Sequence, residues 1–77
     1  MTPQSACEDI DEGVRRVQHE FMQGNITKDD ALAELSFLRE DLELRANMID
    51  HTLDEAKLFI ATKLFLRMVI QHIIQNS

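Results

Sequence analysis

A chain of 77 residues allows one small domain with a modest core, and its single cysteine, Cys7, excludes an internal disulfide and any Cys-x-x-Cys or Cys/His zinc spacing. Fourteen acidic residues against eight basic ones, a formal net charge of -6, exclude the cationic face that a phosphate backbone requires, so nucleic acid is not an expected partner. Two glycines, one proline and no Trp or Tyr favour an all-α chain over any sheet.

Met1 to Ala6 carry no charged segment followed by an apolar run, so no secretory signal is expected and a reducing, cytoplasmic setting fits best. The charge is unevenly placed. Residues 1–55 hold all 14 acids and five of the bases, whereas residues 56–77 hold Lys57, Lys63 and Arg67 and no acid. The simplest reading is that the basic tail packs among the acidic helices of its own fold. The sharper alternative is a basic amphipathic segment for a membrane surface or a partner groove.

The first predicted helix spans about 5–23. Ser5 is the expected N-cap, with Glu8 as its reciprocal partner, and the acids that follow suit the positive end of the helix dipole. Cys7, Ile10, Val14, Val17 and Phe21 recur every three or four residues and form one apolar stripe. Gly13 lies inside this helix at a cost of about 1 kcal/mol relative to Ala, and marks either a close backbone contact or a tolerated substitution. Gly24-Asn25 is a stop signal, because both residues accept the left-handed conformation that ends helices.

The second helix is expected over about 28–46, capped by Thr27 with Asp30 three residues on and Ile26 as a possible staple. Ala31, Leu35, Leu38, Leu42 and Ile49 make its main stripe. A second set, Ala33, Phe37, Leu44 and Met48, lies well over 100° away at about 100° per residue, and we expect it to meet the third helix or a second subunit. No Gly or Pro follows Gly24, so one continuous rod is conceivable. Asn47, Asp50, His51 and Thr52 are weak helix formers, however, and Thr52 with Glu55 forms a capping box, which predicts a break near residues 47–52.

The third helix, about 53–75, is apolar almost all round, with polar strips only at Thr62, His72, Lys57 and the Lys63–Arg67 pair. Such a helix sits either at the centre of a core or in a membrane. Lys63 and Arg67 would each cost about 3 kcal/mol at mid-bilayer, which argues against a transmembrane span. Two neighbouring helices cover a third to a half of a helix surface. Six large side chains left exposed, at about 2 kcal/mol each, would rival the whole stability of so small a domain. The expectation is therefore a three-helix protomer, or a helical hairpin with one long helix, forming a dimeric helical bundle in which two copies of the third helix pair.

No catalytic, cofactor or metal motif outweighs its structural reading. His51 and Glu55 have i,i+4 spacing but lie in a predicted loop, and no HExxH or ExxH pair exists. Cys7 occupies a stripe position with no His or Lys near it in sequence to activate it. The leading expectation is thus a small non-enzymatic interaction protein, an adaptor, chaperone or regulator, partnered by itself as a homodimer and by another protein. Its candidate interface residues are Phe37, Leu44, Met48, Phe59, Phe65, Leu66, Met68, Val69, Ile70 and Ile73. Peripheral membrane contact is not expected. Two alternatives remain open. One is a small dimeric all-α enzyme or metabolite-binding protein lined by Arg15, Arg39, Arg45 and Arg67. The other is an acidic mimic of nucleic acid using Asp29, Asp30, Glu34, Glu40, Asp41 and Glu43.

Overall fold

A computed structural model describes residues 2–76 of the chain as three α-helices, with no strand among them. They are α1 (Pro3–Met22), α2 (Lys28–Met48) and α3 (Leu53–Gln75). The bundle measures 39 × 19 × 15 Å, the long dimension set by the helices lying side by side.

Helix α1 begins two residues earlier than expected. Thr2, not Ser5, is the N-cap: its hydroxyl accepts the Ser5 N–H at 3.1 Å. Pro3 occupies the first helical position, where its fixed φ is pre-organised and its missing N–H costs nothing. Glu8 makes no capping box. It accepts a hydrogen bond from Gln4 Nε2 at 3.2 Å instead. The helix closes in a Schellman motif: Asn25 N–H donates to Glu20 O at 2.9 Å and Gly24 N–H to Phe21 O at 3.0 Å. Gly24 takes φ +77°, a region where a Cβ is strained.

Thr27 caps α2, accepting the Asp30 N–H at 3.1 Å. This helix runs two residues past its expected end and stops where Ile49 turns extended, at φ -101° and ψ 123°. The break predicted over 47–52 therefore exists, narrowed to Ile49–Thr52, and the continuous rod does not form. Thr52 and Glu55 form the full capping box at 3.0 and 3.2 Å. His51 serves the corner: its Nδ1 lies 2.8 Å from Ile49 O and its ring packs 5.1 Å from that of Phe59.

The core lies along the axis between the helices. From α1 it takes Ala6, Cys7, Ile10, Val14 and Val17; from α2, Ala31, Leu35 and Leu42; from α3, Phe59, Leu66, Val69 and Ile73. Gly13 faces α2, where an added Cβ would stand 3.1 Å from Leu38 Cδ2, so the glycine marks a close helix approach. Polar ties fix the rims. Arg45 donates to Asp9 across the α1–α2 seam and to Asp41 on its own helix, both at 3.2 Å. Partial burial strips water from this guanidinium and lowers its pKa, but the hydrogen bonds and charges of Asp9 and Asp41 outweigh that and leave it raised. On the α2–α3 seam Lys63 pairs with Glu43 at 3.6 Å, and Lys28 Nζ donates to the Ile74 carbonyl at 2.9 Å, close to the negative end of α3.

Candidate interaction surface

The ten candidate interface residues divide into three groups. Phe59, Leu66, Val69 and Ile73 are buried within the single chain, where they form the contribution of α3 to the core. Phe65 and Ile70 are half-buried against that core. Phe37, Leu44, Met48 and Met68 are exposed. Of the two expectations for the second face of α2, the third helix or a second subunit, contact with α3 within the chain is corrected here. Ala33, Phe37, Leu44 and Met48 lie about 200° round from Leu35 and Leu42, and at about 100° per residue they point away from the core.

Helix α3 carries the larger exposed patch. Leu53, Leu58, Ile60, Leu64, Met68 and Ile74 are all exposed, from 41 to 88%. Ile60, Leu64 and Met68 recur every four residues and form one outward row, with Leu53 at its start. Lys57, Arg67, Gln71 and Gln75 border this row, and Leu64, Arg67, Met68, Gln71, His72 and Gln75 line a shallow depression on it. Four of the ten candidates, Phe59, Leu66, Val69 and Ile73, thus turn inward, which the sequence does not reveal because α3 has no polar face to mark which side faces the core. Ile60 and Leu64, absent from that set, were hidden by the same ambiguity. The signal that could have found them is the i,i+4 row bordered by the basic residues.

Six exposed apolar side chains on α3 do not unfold the protein, and the reason is thermodynamic. These groups meet water in the unfolded chain too, so their exposure costs folding little. What it leaves is free energy available to association. At about 1.5–3 kcal/mol for full burial of such a side chain, exposures near half correspond to roughly 1 kcal/mol each. Six together are comparable with the total stability of many small domains, about 5–15 kcal/mol.

A second apolar patch belongs to α2. Phe37, with Gly13, Val17, Ile26 and Leu38, lines a groove of about 340 Å³ between α1 and α2, whose rim carries Arg16, Glu20 and Glu34. Leu44 (60% exposed) and Met48 (81%) continue the row toward the end of the helix. A third groove, between α1 and α3, is lined by Cys7, Leu58, Ala61 and Phe65 with Glu8 and Asp11 at its edge. Cys7 is buried there.

The arginines suggested as an anion site are spread out. Arg15 pairs with Asp11 at 3.2 Å and lies over the Phe65 ring at 5.8 Å, on the α1–α3 side. Arg45 is held by Asp9 and Asp41 on the α1–α2 side, and Arg67 borders the outer row of α3. Of the six acids suggested as a phosphate mimic, Asp29, Asp30, Glu34, Glu40 and Glu43 are exposed, while Asp41 is half-buried against Arg45. By length and mean hydropathy (1.3 over its apolar window) α3 would also suffice to cross a bilayer, although it packs along both α1 and α2. Comparison with protein-family models, curated proteins and solved structures found no match.

Proposed function

We propose that this chain is a non-enzymatic protein–protein interaction module, an adaptor, chaperone or regulator, that works by placing the outward rows of α3 and α2 against another protein surface, a second copy of itself included. The observation that carries this reading is the outer row of α3. Leu53, Ile60, Leu64 and Met68 stand in water on a helix whose other side already fills the core. A row of that kind, with a charged border, fits a partner helix laid alongside it. The acids of α1 and α2 keep the molecule soluble and steer basic surfaces toward it.

A photoreactive phenylalanine introduced in cells at Leu64 or at Phe37 tests this reading. Discrete higher-mass adducts are expected from both positions, and none from Glu12 on the exposed side of α1. Absence of adducts at both positions contradicts it.

A further inference from the structure

The two apolar rows differ in charge and in direction. The α3 row lies among Lys57, Lys63 and Arg67, on a helix with no acid beyond Glu55. The α2 row lies among Asp30, Glu34, Glu40 and Asp41. Among the described residues no carboxylate within ion-pair distance meets Arg67, and no cation meets Asp30, Glu34 or Glu40. The rows match in length: Leu53 to Met68 and Ala33 to Met48 each span about 22 Å at about 1.5 Å per residue.

Their directions follow from the seams. Glu43 and Lys28 mark the side of α2 that faces α3, through Lys63 and the Ile74 carbonyl. Phe37 lies about 120° or more round the helix from both, in a groove lined by α1 and α2 alone. The α3 row points outward, on the side opposite Phe59, Leu66 and Ile73, with Ile60 at the edge of the groove between α2 and α3. The two rows therefore face away from one another.

We infer that the occupant of the α3 row is the α2 row of a second copy of this chain, joined head to tail. Pairing α3 with α3 sets the Arg67 of both copies on one surface with no free acid to answer them, since Lys57 is taken by Asp54 and Lys63 by Glu43. Pairing α2 with α2 gathers the acids. Only α3 on α2 sets an unpaired base against unpaired acids while covering apolar rows of equal length. Because the rows face different ways, one two-fold axis cannot bury both at once. The contact is heterologous and continues into a ring or an open chain. This inference rests on the interaction-module reading and assigns the surface that reading leaves unassigned.

Mixing the full-length chain with two variants tests it. Leu64→Asp disables the α3 row and Phe37→Asp the α2 row; both positions are exposed, so helical content and melting temperature check that the bundle survives. The unaltered chain is expected to grow past a dimer with concentration in sedimentation velocity, and to shrink as salt rises from low to molar. Each variant alone is expected to sediment as a monomer. Their equimolar mixture is expected to restore a species of about twice the 8.9 kDa chain mass, because each supplies the row the other lacks. Met68→Asp with Leu44→Asp repeats the test if either first variant unfolds. Three results overturn the inference. One is a Phe37→Asp dimer that mixing leaves unchanged, which shows a symmetric α3 pair. Another is an unaltered chain that stays monomeric while still cross-linking to other proteins. The last is a monomer that floats with anionic phospholipid vesicles.

Discussion

Helices α1 and α3 are nearly equal in length and lie against each other, yet they place their apolar residues differently. In α1 the stripe Cys7, Ile10, Val14 and Val17 is buried in full, and the opposite side carries Glu8, Glu12, Arg15, Arg16 and His19. In α3 four apolar residues are buried while six large ones face water. The bundle can take one side of any helix, so α1, which offers one, is complete within the chain. Helix α3 offers two, and the second is left for association. Amphipathicity measures how finished a helix is inside its own protein.

The sharpest way to break this comparison is to truncate leucines two residues apart on α3. Leu66 is 1% exposed and Leu64 53%. Leu66→Ala is expected to cost about 2–5 kcal/mol in urea denaturation, as for a core cavity. Leu64→Ala is expected to change the stability of the monomer by less than about 1 kcal/mol, since it removes a side chain already in water. Equal losses at the two positions would mean that the two sides of α3 are not distinct. A smaller effect sharpens the contrast at the other helix. Gly24 ends α1 at φ +77°, with open space around its Cα. Gly24→Ala is therefore expected to cost about 1–2 kcal/mol through backbone strain alone. Chemical denaturation of that variant should show the loss with no change in self-association, because the residue belongs to neither row.

Much of this architecture could be read along the chain. Thr27 and Thr52 cap as their spacing with Asp30 and Glu55 implies, and Gly24 stops α1, because caps are local chemistry settled within four residues. The core stripe of α1 was legible because its polar side is continuous. The start of α1 was misplaced because Ser5 and Thr2 are both good caps, and Pro3 at the first helical position decides for Thr2. The surface was harder. Phe59, Leu66, Val69 and Ile73 look like Ile60, Leu64 and Met68 when almost every side of a helix is apolar. The packed bundle shows the rotation of α3, with Lys63 meeting Glu43 on one seam and Phe65 lying under Arg15 on the other. The second row of α2 was visible as a row, but its period alone does not say what it meets.

The claim on which the account turns is that the outer row of α3 is covered by a second copy of the chain at working concentrations. Light-scattering mass of the purified chain, followed from micromolar to millimolar, tests it most directly. The account expects a mass that rises above 8.9 kDa. A constant 8.9 kDa across the whole range would contradict it.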